Sequence, residues 1–289
     1  MHHKDKILSD IFKTGKKTLS FEVFPPKTAQ GMENLIFHLK QLEKYSADYI
    51  SVTYGAGGSS QDKSLELLDA VHKNFERTVV AHFTCVGLDL NKIESFINRL
   101  SAMNIRNILA LRGDPPKDST NFDFNKNVFK YASDLVKFIK NKTNMCIGVA
   151  GYPEGHVQAP SKEADWDNLK FKIEQGANFV ITQLFFDNSF YFRFKEGMLK
   201  RNIKVPLIPG ILPVASIETL NKAVNLSGAT ITAKFKEIIN KHTQPDDFKK
   251  ASYEYVINQI RELQKDNVPG IHYYILNRSE VISEILENL

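Results

Sequence analysis

Short apolar runs alternate with amphipathic stretches along the whole of this 289-residue chain. The runs cover residues 18–24, 49–54, 78–85, 107–111, 145–150, 179–185, 205–211 and 270–276. Each is rich in Val, Ile, Leu and Phe without strict polar alternation, the pattern of parallel strands covered on both faces. Between them, residues 32–45, 93–103 and 131–139 carry apolar side chains at helical spacing, as Leu35, Ile36, Leu39 and Leu42 do. Asp165 and Asp167 suit the first turn of another helix, and Gly176 suits its end. Residues 217–242 predict extra helical material, 248–265 a long helix and 278–289 a last amphipathic one. Eight strands, each followed by helix, predict an α/β fold, a (β/α)8 TIM barrel forming a single domain. An open doubly wound sheet is the other arrangement that such alternation allows.

Glu22 breaks the apolar pattern. It lies in Phe21-Glu22-Val23-Phe24-Pro25-Pro26, an aromatic run stopped by two prolines. Burying a carboxylate there costs several kcal/mol unless it is paired, protonated or open to a cavity. Proton transfer is the functional reason to keep it, and a core ion pair is the structural one. Other unusual positions fall at strand C-termini, where such a barrel keeps its active site. They are Thr53-Tyr54-Gly55-Ala56-Gly57-Gly58, His82, Arg112-Gly113-Asp114, Tyr152 to His156, Gln183, Pro209 to Pro213 and Asn277-Arg278. Taken singly they are weak signals. The glycines lack dinucleotide-fingerprint spacing, and His82 reads equally well as a core histidine. Asp165, Asn168 and Lys172 stand at helical spacing and read equally well as a solvated face.

Composition narrows the classes. The net charge of +5 is spread over many lysines without a nucleic-acid-binding motif, and it suits anionic small molecules. No window approaches the roughly 18 apolar residues of a membrane span. The two cysteines, Cys85 and Cys146, sit inside apolar runs and read as reduced thiols of a cytoplasmic protein. The eight histidines show no metal-ligand spacing, so no metal is expected.

In order along the chain, the motifs around Glu22, Thr53, Arg112-Gly113-Asp114, Tyr131-Ala132-Ser133, Gly151 to His156, Thr182-Gln183, Pro209 to Pro213 and Leu276-Asn277-Arg278 form one pattern. It resembles the methylenetetrahydrofolate reductases of the single-domain bacterial type over residues 18–289. The resemblance implies one catalytic FAD-binding barrel domain over residues 1–289, with 1–15 as an N-terminal extension or helix. It implies reduction of 5,10-methylenetetrahydrofolate to 5-methyltetrahydrofolate by NADH or NADPH, NADH being the family-level choice. The hydride passes through FAD in a ping-pong cycle that supplies methyl groups for methionine synthesis. A homo-oligomer is expected, without the S-adenosylmethionine-binding regulatory domain of eukaryotic relatives.

By the same resemblance Glu22 is the general acid that protonates folate N10, its pKa raised by the apolar strand. Asp114 is a second carboxylate that lowers the flavin potential and stabilises the iminium. Thr53 meets nicotinamide and the flavin edge. FAD is expected on Tyr54, Ala56, His82, Arg112, Gly113, Asp114, Ala132, Tyr152, His156, Asp165, Asn168 and Lys172. Gln183 is expected on folate and nicotinamide in turn, and Arg278 on the benzoyl-glutamate end of folate. Two positions depart from the pattern. Phe171 stands where relatives often carry a second basic residue, and residues 217–225 hold no aromatic to stack on the dinucleotide. A flavin-free barrel lyase is the rival class, but no strand carries a Schiff-base lysine at its end. A barrel that binds folate or flavin without turnover is the other.

Overall fold

The computed structural model describes residues 5–54, 58–75, 77–115 and 122–289. A short helix, α1 (Leu8–Lys13), precedes β1 (Thr18–Val23), α2 (Ala29–Leu42), β2 (Tyr49–Val52), α3 (Gly58–Phe75) and β3 (Thr78–Thr84). Next come α4 (Leu90–Ala102), β4 (Asn107–Leu111), α5 (Ala132–Lys142), β5 (Cys146–Gly151), α6 (Lys162–Glu174) and β6 (Phe179–Thr182). The last third holds α7 (Asn188–Lys200), β7 (Leu207–Ile208), β8 (Gly210–Ile211), α8 (Ile217–Ser227) and α9 (Ala233–Lys241). It ends with α10 (Pro245–Lys265), β9 (Gly270–Tyr274) and α11 (Glu280–Glu287). Side chains of Thr28, Asp89, Ser161, Asp187, Ser216 and Thr232 cap the helices that follow them. Each such cap contributes about 1 kcal/mol.

All strand pairs are parallel, in the order β7-β6-β5-β4-β3-β2-β1-β9-β8. The single strand expected over 205–211 is two, because Pro209 has no N–H to donate to a ladder. Its first half pairs with β6 and its second with β9. The two ends of the ladder are therefore halves of one run, and the (β/α)8 barrel closes through Pro209. Gly210 is required there, since a Cβ would stand 2.3 Å from the Thr182 carbonyl oxygen and 2.7 Å from the Tyr274 ring.

Alternation along the strands sorts the two faces. Phe21, Val23, Ile50, Val79, Phe83 and Ile108 point outward into the core shared with Leu35, Phe96 and Leu135 of the helices. Tyr49, Val80, Leu109, Phe179, Ile181 and Ile208 point inward and fill the barrel, with Leu8 of α1 packed among them. Asp5 and Asn107 fasten that plug. The Asp5 carboxylate accepts from Val79 N, Arg106 N and Asn107 Nδ2, at 3.0, 2.9 and 3.0 Å. Asn107 accepts from Leu8 N at 2.8 Å. Burial of Asp5, 1% exposed, outweighs these donors and pushes its pKa up to about 6. Among the described residues no helix is long and apolar enough to cross a membrane.

Candidate active site

Inward positions one layer above the apolar filling are polar on the β9-β1-β2-β3 side. Glu22 lies in register with Ser51 and Tyr274, and Ser20 with His272. Glu22 Oε2 stands 3.6 Å from His82 Nε2 and 3.5 Å from His272 Nε2. Ser20 Oγ is 2.8 Å from His272 Nδ1, and Ser51 Oγ is 3.3 Å from its Nε2. A carboxylate beside Nε2 favours the tautomer protonated there, so Nδ1 accepts from the Ser20 hydroxyl. The His272 ring stacks on Tyr49 with centroids 6.0 Å apart. His272 and its serines were not singled out in the sequence. Their signal is the inward period of two, as in Ser20/Glu22 and His272/Tyr274.

The protonation pattern corrects one expectation. Burial works to raise the Glu22 pKa, but the His272 hydrogen bond and the charges of His82 and His272 outweigh it. The carboxyl is held below its ordinary value, not above it. Burial pushes His82 down to about 4 despite Glu22 nearby. These two directions compete, because an imidazole that is neutral at pH 7 lends no positive charge. The His82 direction holds, since its side chain is 7% exposed and its Nε2 has no hydrogen-bond partner among the described residues. Ionised Glu22 then rests on His272, with a fifth of its side chain open to solvent.

Across the mouth, the loops after β4 and β5 meet α6. Arg112 donates from Nη2 to Gln158 Oε1 at 2.7 Å and lies over the Phe124 ring at 4.5 Å. Gly113 has φ 87°, and a Cβ there would come within 2.8 Å of Val86 and Thr84 side chains, so no other residue fits. Asp114 is exposed beside it. The Tyr152 and His156 rings meet edge to face at 4.7 Å. His156 Nδ1 accepts from Gln158 N at 3.1 Å, which leaves the proton on Nε2, a donor without a hydrogen-bond partner among the described residues. Lys172 Nζ donates to Ala150 O at 2.9 Å, and burial lowers its pKa to about 8 against the pull of Asp165. Burial also raises Asp165 and lowers His156, each opposed by the other's charge. Arg112, Asp114, Asp165 and Lys172 all act electrostatically on His156, so the structure brings these predicted residues together.

Other expected residues divide. Thr53 is tied to β1 through its N–H to Val23 O at 2.9 Å. Tyr54 turns its ring outward, edge-on to Phe83 and Phe96 at 5.2 Å each, so toward the mouth it offers only backbone. Ala56 lies outside the described residues. Ala132 opens α5, where Asp134 accepts from Tyr131 N at 3.0 Å. Asn168 and Phe171 are exposed on α6. Gln183 spends its side-chain oxygen on Leu184 N at 2.9 Å, and its amide NH₂ has no hydrogen-bond partner among the described residues. Arg278 is exposed just beyond β9.

Comparison with known proteins matches residues 7–289 to the family described as Methylenetetrahydrofolate reductase. The chain is 32% identical to the 5,10-methylenetetrahydrofolate reductase of Escherichia coli over 276 residues, 95% of this chain and 91% of that protein. It is 34% identical to the Buchnera aphidicola protein of the same name, over 92% of this chain and 89% of that one. It is 32% identical to Methylenetetrahydrofolate reductase 1 of Schizosaccharomyces pombe, where all of this chain covers 48% of the relative. The chain thus spans about half the length of the fission yeast relatives and about nine-tenths of the bacterial ones. A match over nearly the whole barrel, including both walls of the mouth, makes this chain a member of the methylenetetrahydrofolate reductase family.

Proposed function

We propose that this protein reduces 5,10-methylenetetrahydrofolate to 5-methyltetrahydrofolate, with FAD as its cofactor and NADH as the reductant. The observation that carries the reading is one mouth with two unlike walls: a carboxylate between two imidazoles, and a cationic, aromatic wall opposite. Arg112, His156 Nε2 and Lys172 match the oxygens of a dinucleotide pyrophosphate, and Tyr152, His156 and the Gly113 backbone match a flat ring. Orphaned His82 Nε2 is a further buried polar atom that a ligand in the mouth would satisfy. Bound there, FAD supplies hydride transfer between nicotinamide and folate.

The chain's own residues do the rest. Glu22 delivers a proton to folate N10, which opens the imidazolidine ring to an iminium able to accept hydride. Ionised in the free protein, Glu22 takes up that proton as the folate ring covers its open fifth, because removal of water favours the neutral acid. His272 Nε2, oriented by Ser20, holds the carboxylate in place while solvent or the arriving substrate supplies the proton. Asp114 places negative charge beside the cation that forms. The free NH₂ of Gln183 and the guanidinium of Arg278 hold the folate. The reduced thiols Cys85 and Cys146, each pushed up to about 11 by burial, suit a cytoplasmic enzyme of methyl supply for methionine synthesis.

Anaerobic stopped-flow of the two half-reactions tests this. The purified protein should be yellow, bleach with NADH and recover its absorbance with methylenetetrahydrofolate. Glu22→Gln should keep the bleaching and lose the recovery, by at least a hundredfold. Colourless protein that takes up no FAD would sink the reading in favour of a lyase, and equal loss of both steps in the variant would remove the acid role.

A further inference from the structure

The turn after β9 carries backbone strain that its own side chains do not explain. Arg278 N donates to Ile275 O at 3.0 Å, and the two residues between them, Leu276 and Asn277, have φ of 50° and 59°. Two successive positive φ values mark a type I′ turn, which glycine and asparagine accept and leucine resists. Leu276 is 46% exposed, so little burial offsets the strain.

What holds the turn is the Asn277 amide. Its oxygen accepts from Phe24 N at 2.9 Å and its nitrogen donates to Phe24 O at 2.8 Å. The β1–β9 ladder ends at the pair Glu22–Tyr274. Extending that register by two would set Phe24 against Leu276, but the turn has carried the Leu276 backbone away. The side chain of Asn277 therefore makes the next rung in place of main chain. One amide thereby fixes the strand end two residues beyond Glu22 and the point from which Arg278 departs.

We propose that Asn277 is a positioning residue for the folate half-reaction, a clasp that sets the spacing between the acid on β1 and Arg278. The kinetic part of this rests on the reaction proposed above. The test compares Asn277→Gly, which tolerates the positive φ but deletes the amide, with Leu276→Gly, which relieves strain and keeps the clasp. Both are studied as holoenzymes under anaerobic stopped-flow.

Asn277→Gly should bleach with NADH within about twofold of wild type and recover with methylenetetrahydrofolate some ten- to a hundredfold more slowly. Its Phe24 amide should exchange hydrogen at least tenfold faster. Leu276→Gly should match wild type in all three measurements. Normal folate recovery in Asn277→Gly, or equal loss of both half-reactions, would overturn the proposal. So would a Leu276→Gly variant as slow as Asn277→Gly, since turn geometry rather than the amide would then be responsible. A wild-type holoenzyme that bleaches but never recovers with this folate would instead overturn the reaction assignment. Phe24 exchange would still judge the clasp, with unchanged exchange in Asn277→Gly refuting it.

Discussion

Replacing His82 with leucine separates a buried imidazole from Asp5, the other buried group that titrates over the same pH range. His82 is 7% exposed, its Nε2 is unpartnered among the described residues, and burial holds its pKa near 4 against an ordinary 6.5. A base with a depressed folded pKa contributes stability above the unfolded value and loses it as pH falls toward the folded one. Between pH 6.5 and 4 that loss is about 3 kcal/mol, at 1.36 kcal/mol per unit. Asp5 runs the other way: raised from 3.8 to about 6, it contributes most below pH 3.8 and loses that contribution as pH rises through 6. Over pH 4–6 the two nearly cancel, so a flat wild-type curve says nothing. The difference between wild type and His82→Leu removes Asp5, which sits at the other end of the barrel. At pH 7 the variant should lie within about 1 kcal/mol of wild type, because leucine fills the site without an unpaired polar atom. By pH 4.5 it should have gained about 2 to 3 kcal/mol on wild type. Urea melts followed by the fluorescence of Trp166, the only tryptophan and 5% exposed, measure this directly. A difference that does not move with pH would refute a neutral, buried His82.

Three further outcomes are expected. Asp114→Asn should slow reoxidation by folate by roughly a hundredfold and flavin reduction by NADH far less; an unchanged flavin potential would remove the tuning role given to this carboxylate. Asn107→Ala should cost about 3 kcal/mol in urea melts, because Leu8 N and the Asp5 carboxylate lose a buried partner; a loss under about 1 kcal/mol would mean that α1 does not depend on this contact. FAD affinity should weaken as pH rises through about 8, where Lys172 loses its proton, and Lys172→Met should abolish that dependence; fluorescence titrations that show no such inflection in wild type would place Lys172 away from the phosphates.

Sequence patterning reached the barrel because each strand is a short apolar run, and that periodicity is local. It missed the split at Pro209, where the run reads as continuous although one residue cannot donate. It also failed to pick out α7, whose Phe190, Tyr191, Phe192 and Phe194 crowd several faces and hide the helical stripe. Candidate site residues stood out where chemistry and context clashed, as at Glu22 and Gln183. The direction in which Tyr54 points was not, because its partners come from β3 and α4. His272 stayed hidden for the same reason. The inward period of two marks its face, but its link to Glu22 shows only once β9 is known to lie beside β1.

That adjacency also decides how Glu22 works. An apolar strand alone makes a weak acid that stays protonated, which is what the local sequence suggests. Two imidazoles reverse the direction, but the neutral His82 cannot sustain the reversal, so a single contact with His272 decides the resting charge. Tyr274 reaches from this contact toward β6. Its ring meets His272 edge-on at 5.5 Å, and its hydroxyl is fixed to Thr182 O at 2.8 Å. A guanidinium or ammonium admitted beside Glu22 would lock it in the ionised state, since Coulomb attraction grows as distance and dielectric fall. With that charge kept across the mouth, movement of one imidazole or loss of the last water suffices to protonate the carboxyl. In the reaction proposed above, an acid poised in this way would release its proton only to a substrate already in place.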